Sequence, residues 1–357
     1  MAKKKILYFV EAFGGGVFTY LANLSNALCD DFDVYIAYGI RKQTPQNFKD
    51  YFDKRIHLIQ VKNYQREISA SKDLAALKEM KKIAKKVQPD VIHLNSSKAG
   101  ILGRWLFRNS KIPVFYTPHG YSFLMTNISK KKKLFYKGLE KTFAFKNIET
   151  IACSKGEYEI TKELTSNATY VDNGINLKEF DGINMDHQTN FNYLKIATLG
   201  RISLQKNPVM FNRIAEAFPN IDFIWIGDGE LKGKLTAPNI KVIGWVDNKT
   251  ALNYLTDADI FLLTSLWEGL PMALLEAMYM KKICIVSDVV GNRDVIHDGQ
   301  NGYICSSVSD YVKIINNIMA GRSLNQIIVN AKENVINHYN SEIMANQYKQ
   351  IYKKHLV

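Results

Sequence analysis

The chain has 357 residues, 46% hydrophobic and 23% charged, the balance of a soluble globular protein too long for one ordinary core, so two domains are expected. No apolar run approaches the ~18–20 residues that span a bilayer, and Cys29, Cys153, Cys284 and Cys305 are scattered without a CxxC pair or flanking His, which argues against a zinc site and for reduced thiols. The formal net charge of +13 lies wholly in the first half: residues 1–180 hold 30 basic and 17 acidic side chains, residues 181–357 hold 17 of each, so one domain is expected to meet something anionic, nucleic acid or an anionic membrane or lipid phosphate.

The chain opens MAKKKILYFVEAFGGG. The basic start mimics a signal peptide, but the apolar stretch is short, runs into Glu11 and three glycines, and lacks a small-residue cleavage site. It reads as a first buried strand of a cytoplasmic protein. Gly14, Gly15 and Gly16 then stand between strand and helix, where backbone N–H groups can close on a phosphate. The spacing is neither GxGxxG nor GK[ST], which argues against a dinucleotide site and a P-loop and leaves a plain strand-to-helix turn as the other reading. Further β-rich runs follow at 33–38, 57–61, 90–94, 113–117 and 149–153, with helical patterns between most of them, such as 72–87 with Leu74, Leu77, Met80 and Ile83. This alternation predicts a parallel, doubly wound sheet.

Residues 128–146, ISKKKKLFYKGLEKTFAFK, carry seven lysines against Glu140. On a helix, Phe135, Leu139 and Phe143 form an i, i+4, i+8 row, with Lys130, Lys133, Lys137 and Lys141 largely off it. The plain expectation is that this row packs into the core. The lysines beside Leu134 and Tyr136 also suit an anionic membrane surface. The polar stretch 171–193, with two glycines, reads as an interdomain connection. The βα programme then restarts, with strands expected at 194–200, 222–227, 240–244, 259–265 and 284–288 and a separate helix at 341–356.

LGRISLQKNP places Arg201 and Lys206 just beyond the first strand of the second half, where two cations can neutralise a diphosphate or simply be solvated. IGDGEL adds a glycine turn at Gly227 and Gly229. WEGLPMALLEAM then sets Glu268 and Glu276 eight positions apart around a helix expected to start near Leu270, with Pro271 in its first turn. Eight helical residues would leave the two carboxylates about 80° apart, so they are no stacked metal pair and each must face something separately. A ligand with hydroxyls at both ends and a phosphate between them would suit; a helix-start carboxylate and a solvated glutamate are the plain alternative. The DxD pairs Asp31/Asp33 and Asp257/Asp259 lie near strand starts, away from the carboxyl edges, and are discounted as metal sites.

These motifs, in this order, resemble the retaining GT-B glycosyltransferases of family four (group 1), of the kind that serves bacterial polysaccharide assembly. The arginine–lysine pair, the GDG turn and the Glu-x7-Glu element carry the likeness in the second half. The triple glycine, DVIHLNSSKAGILGR (90–104), YTPHGYSF (116–123), IACSKGE (151–157) and VDNGIN (171–176) carry it in the first. Lys281 and Ile283 depart from the family's usual glycine and proline, which bears on the turn after that helix. The resemblance implies an α/β GT-B fold, two doubly wound Rossmann-like domains facing a central cleft: a basic acceptor-side domain 1–175, a connection 176–193, a nucleotide-sugar domain 194–340, and a C-terminal helix 341–357 returning to the first domain.

It also implies the activity, a retaining glycosyltransferase that moves a sugar from a nucleotide-sugar, on family frequency a UDP-sugar, to a glycan or polyprenyl-diphosphate-linked acceptor. Catalytic roles then fall to Glu268, His119, Arg201 and Lys206. Donor-binding roles fall to Gly15, Gly16, Gly227, Gly229, Gly269, Leu270, Pro271, Met272 and Glu276, with Glu276 on the ribose hydroxyls and Glu268 on the donor sugar. Lys130, Lys131, Lys132 and Lys133 would meet the acceptor or an anionic membrane at the inner face of the plasma membrane. No cofactor and no metal are expected, the cations replacing a metal, and no recognised nucleic-acid motif or aromatic platform is evident. A GT-B epimerase or phosphorylase, or a nonenzymatic nucleotide-sugar binder, are the alternatives.

Overall fold

The computed structural model describes residues 2–65, 67–185, 193–321 and 324–356. The chain divides into two compact units, Met1–Gly174 with Ser341–Val357, and Ile175–Asn340.

The first unit holds seven parallel strands: β1 (Lys4–Phe13), β2 (Phe32–Ile40), β3 (His57–Gln60), β4 (Val91–Asn95), β5 (Val114–Thr117), β6 (Ile148–Ala152) and β7 (Ala168–Tyr170), in the order β3-β2-β1-β4-β5-β6-β7. Its helices are α1 (Gly15–Leu28), α2 (Ala70–Val87), α3 (Ser97–Phe107), α4 (Lys130–Thr142) and α5 (Lys155–Lys162). Strand β1 is covered on both faces: Ile6, Tyr8 and Val10 pack to one core, Leu7 and Phe9 to the other. That is why it reads as an unbroken apolar run instead of an alternating one. The strand order reverses between β1 and β4, so their carboxyl ends form the switch point where ligands bind in such sheets.

The second unit repeats the plan with β8 (Lys195–Leu199), β9 (Asp222–Ile226), β10 (Ile240–Gly244), β11 (Ile260–Leu263), β12 (Ile283–Ser287) and β13 (Tyr303–Cys305), ordered β10-β9-β8-β11-β12-β13. Helices α6 (Pro208–Glu216), α7 (Asn248–Thr256), α8 (Met272–Tyr279), α9 (Val290–Val295), α10 (Val308–Met319) and α11 (Asn325–His338) surround it, and the switch point lies between β8 and β11. The chain's last helix, α12 (Ser341–Lys354), belongs to the first unit and packs on α1. There the Tyr352 hydroxyl meets Tyr8 Oη at 3.1 Å and His93 Nδ1 at 2.6 Å, while His93 Nε2 lies 2.9 Å from Thr117 Oγ1.

Three expectations change. β7 and β13, each three residues long, carry too little pattern to be read in advance. Residues 176–185, expected as connection, are built into the second unit: Ile175 N–H donates to Tyr339 O at 2.9 Å, and buried Phe180 sets its ring edge-on to Tyr279 at 4.8 Å. The rest of that stretch, 186–192, lies outside the described residues.

The largest change concerns α4. The residue that α4 buries is Glu140, whose carboxylate takes Arg104 Nη2 at 2.6 Å and the Tyr116 hydroxyl at 3.2 Å, with the Arg104 guanidinium 4.0 Å above the Tyr116 ring. A buried carboxylate needs its partner, so this pair dictates the inward face. Five positions back, about 140° round the helix, Phe135 is turned outward and is 56% exposed; Leu134 is 73% exposed. Leu139 and Phe143 are only half-buried. The Phe135–Leu139–Phe143 row is therefore not core.

Candidate functional site

The ends of the second unit's strands carry the donor residues expected in the second half. After β8, Gly200 (φ +139°) and Arg201 lead to Ile202, whose N–H donates to Asp228 O at 2.9 Å. A Cβ on Gly227 would lie 2.2 Å from Gly200 O, and one on Gly229 would lie 2.2 Å from Ile202 O. Gly227 and Gly229 thus let the GDG turn close on the backbone that carries Arg201, a packing role that precedes any contact with a ligand. The Arg201 guanidinium is on Glu230, with Nη2 2.8 Å and Nε 3.0 Å from Oε2.

Lys206 ends a short 3₁₀ turn, Leu204–Lys206, strapped to the segment after β11: Leu266 N–H donates to Gln205 O at 2.7 Å and Thr264 Oγ1 to Lys206 O at 2.8 Å. The strap sets Lys206 Nζ 2.7 Å from Glu268 Oε1, while Gln205 Nε2 donates to Glu268 Oε2 at 3.3 Å and to Trp267 O at 3.0 Å. Both charges are largely buried, a setting in which an ion pair is screened little by salt.

Helix α8 starts at Met272, with Pro271 as an extended N-cap and no side chain capping it. Leu274 N–H already turns back to Pro271 O at 3.1 Å, whereas the N–H groups of Met272 and Ala273, at the very start of the helix, have no acceptor one turn back within it. A Cβ on Gly291, at the start of α9, would lie 2.1 Å from Gly269 O and 3.2 Å from the Glu268 carbonyl carbon, so Gly291 lets α9 press this loop into place. Sequence reasoning did not single it out, although a glycine just beyond a buried strand was a usable signal. The turn after α8 puts Lys281 in the left-handed region (φ +61°), a conformation that favours the glycine usual there.

Glu276 sits within α8, its carboxyl group buried and without a hydrogen bond among the described residues. Desolvation, and next the neighbouring Glu179 carboxylate, push its pKa up to about 8, so it is mostly protonated at neutral pH. It is not a solvated surface glutamate. The two carboxylates do face separate surroundings, one a lysine and the other a second acid.

In the first unit, α1 starts at Gly15 (φ +56°) directly after β1, with Gly14 as an extended N-cap. Beyond β5, His119 adopts φ +55°, a left-handed conformation that a non-glycine residue holds only under constraint. The constraint is visible. His119 Nε2 lies 2.9 Å from Asn95 Oδ1, and its ring stands edge-on to Tyr20 at 4.4 Å. The next residue, Gly120, donates its N–H to Glu157 Oε1 at 2.6 Å, while Glu157 Oε2 accepts Cys153 N–H at 2.8 Å. Burial pushes the His119 pKa down to about 3, so the ring is neutral at physiological pH. Glu157 and Asn95 lie in motifs noticed in the sequence, but no spacing showed that they hold His119.

Lys130, Lys133 and Lys137 ring an open cavity of about 340 Å³ on α4, with Phe123 and Leu134 as its apolar lining. Lys132 instead has its ammonium 5.7 Å from the Tyr136 ring centre. Among the described residues no cluster of three or more His, Cys, Asp or Glu could hold a metal, and no helix is long and apolar enough to cross a membrane. Asp259 accepts Lys195 N–H at 2.9 Å at the amino end of β11, and Asp31 is paired with Lys349.

Two family profiles cover most of the chain: one described as Glycosyl transferases group 1 matches residues 183–335, and one described as Glycosyltransferase Family 4 matches residues 14–179. The chain is 32% identical over 336 residues, 85% of each partner, to UDP-Gal:alpha-D-GlcNAc-diphosphoundecaprenol alpha-1,3-galactosyltransferase of Escherichia coli. Among solved structures, a sucrose-phosphate synthase from Thermosynechococcus elongatus superposes with a TM-score of 0.83 at 16% identity, covering 99% of both chains. An Anabaena protein solved with UDP and glucose gives 0.77 at 17%, covering 98% of this chain and 99% of that one. At such identities these likenesses speak to fold alone, and the fold is GT-B. With both halves matched and the motif residues assembled at the two switch points, the chain belongs to the GT-B glycosyltransferases of group 1, family 4.

Proposed function

We propose that this glycosyltransferase moves a sugar, with retention and without a metal, from a UDP-sugar to a hydroxyl of a polyprenyl-diphosphate-linked acceptor in bacterial surface-polysaccharide assembly. The observation that carries this reading is the buried Lys206–Glu268 pair at the β8/β11 switch point, beside Arg201 and the uncapped start of α8. Arg201, Lys206 and the α8 N–H groups supply fixed positive charge for a diphosphate. A donor drawing Lys206 onto its phosphates would free Glu268 to accept hydroxyls of the donor sugar. Glu276, once ionised, has two acceptor oxygens for a ribose diol. His119 meets the transferring sugar or the leaving phosphate. Retention follows from front-face attack, in which the leaving phosphate takes the acceptor's proton, so catalysis is positioning plus stabilisation of diphosphate charge. The E. coli relative, whose name gives a UDP-galactose donor and a diphosphoundecaprenol-linked acceptor, supports these choices.

The exposed Leu134 and Phe135 beside Lys130, Lys131, Lys132 and Lys133 suit an anionic bilayer, which would hold the protein at the cytoplasmic face close to a lipid-linked acceptor. The decisive experiment incubates the enzyme with UDP-sugars, with and without a polyprenyl-diphosphate-linked sugar. Acceptor-dependent UDP release and an α-linked product from an α-configured donor are expected. Donor conversion without acceptor would favour an epimerase, and binding without turnover a nonenzymatic sugar-nucleotide binder.

A further inference from the structure

Asn95 ends β4 with its side chain wholly buried. Its amide nitrogen donates to the His93 carbonyl oxygen at 3.3 Å, a group that can only accept. That contact fixes which way the amide points and leaves Oδ1 as the atom facing His119 Nε2, 2.9 Å away. An amide oxygen is itself only an acceptor, so Nε2 must carry the proton. In a neutral imidazole the other nitrogen, Nδ1, then bears a lone pair.

We propose that Asn95 is a positioning residue that locks His119 in the Nε2–H tautomer, so that Nδ1 serves glycosyl transfer as a hydrogen-bond acceptor for a sugar hydroxyl. This rests on the functional reading above and decides between the two partners it leaves to His119. A phosphate oxygen is also an acceptor, so the locked, neutral ring has nothing to donate to the leaving diphosphate from Nδ1.

The surroundings hold the ring in this state. From α1, Tyr20 packs edge-on against it, and Tyr348 of α12 packs edge-on to Tyr20 at 6.2 Å. From β4, His93 is kept neutral by burial, with both ring nitrogens engaged by Tyr352 and Thr117. From α5, the Glu157 carboxylate is taken up by the Gly120 and Cys153 N–H groups. Burial alone accounts for the depressed basicity of His119. Replacing the neutral acceptor Asn95 with a carboxylate of the same shape would change that sign, because an adjacent negative charge favours the imidazolium.

The test uses full-length protein with ¹⁵N-labelled histidine, the His119 signals being assigned by their loss in His119→Gln. In the parent, His119 should show a protonated Nε2 and an unprotonated Nδ1, unchanged down to pH 5. Asn95→Ala should lower kcat about tenfold, the loss of one hydrogen bond, with tautomers mixed. Asn95→Asp should bring the His119 titration into the assay range and give kcat/KM a new acid limb, falling as pH drops through 6–7. A protonated Nδ1 in the parent overturns the proposal, as does a folded Asn95→Asp variant whose pH profile superposes on the parent's. The parent spectrum needs neither donor nor variant. Absence of transfer from any donor would therefore sink the functional reading while leaving the tautomer measurement standing.

Discussion

Glu276 gives the sharpest quantitative test, because the fold holds it neutral and the proposed ligand needs it charged. Moving its pKa from the ordinary 4.5 to about 8 places a penalty on the ionised form. At about 1.36 kcal/mol per pH unit, that penalty has a ceiling of about 5 kcal/mol. Below pH 4.5 the carboxyl is protonated in both folded and unfolded chains and has no effect on stability. Between 4.5 and 8 the unfolded chain loses this proton and the folded chain keeps it, so stability falls as pH rises; above 8 the loss is complete. Glu276→Gln removes the titration. Its unfolding free energy should rise relative to the parent by up to about 1.4 kcal/mol per pH unit from pH 5 to 8, read by urea titration of the second unit's transition at pH 5, 6.5 and 8. Binding should show the mirror image. A ribose diol donating two hydrogen bonds favours the carboxylate, so the parent should release a proton on binding UDP and gain affinity as pH rises towards 8. Calorimetry in two buffers of different ionisation heat would count that proton, and Glu276→Gln should bind more weakly and release none. Parallel pH–stability curves for the two proteins, with no proton released by the parent, would refute the reasoning.

Glu268→Ala should nearly abolish transfer, since it removes the proposed sugar contact and leaves the largely buried Lys206 without its partner; steady-state kinetics would show kcat falling far more than donor affinity. Arg201→Ala and Lys206→Ala should weaken donor binding and turnover together, because diphosphate charge grows as the sugar bond breaks, whereas EDTA should leave the rate unchanged; strict dependence on added divalent metal would contradict the charge assignment. Gly291→Ala drives a methyl group to 2.1 Å from Gly269 O, so it should destabilise by about 1–3 kcal/mol and slow transfer by displacing the Glu268 loop, both measurable on one preparation. Replacing Lys130, Lys131, Lys132 and Lys133 with Gln should cut sedimentation with anionic vesicles while leaving UDP affinity intact, and equal sedimentation would reduce this stretch to a solvated face.

The parallel sheets were legible because strands covered on both faces are short continuous apolar runs, as with KILYFV in β1 and DIFLLTS around β11. Lys206, Glu268 and Glu276 drew notice through their motifs, Lys206 just after β8 and Glu268 between β11 and α8, but the pairing of Lys206 with Glu268 and the burial of Glu276 near Glu179 were not in the pattern. The orientation of α4 was not. Hydropathy ranked Phe135 as the inward residue, but the Arg104–Glu140–Tyr116 cluster buries an acid there, and a compensating pair 36 residues apart leaves no local period. Asn95 and His119 are likewise separated by 24 residues, and only the pairing of β4 with β5 brings them together.

The placement of α12 means that the first unit is completed only after the second unit has been made. Synthesis runs from the amino end, so β1 to β7 and the whole of the second unit leave the ribosome before Met344, Ala345, Tyr348 and Tyr352 can fill their places against α1 and β1. Until then the Tyr8 hydroxyl and the His93 ring lack the partner that Tyr352 provides, and Tyr20, which braces His119, lacks Tyr348. A nascent chain that has reached only residue 340 holds the whole of the second unit, yet leaves His93 without Tyr352 and Tyr20 without Tyr348. The surroundings of His119 thus depend on residues that are synthesised only after the whole of the second unit.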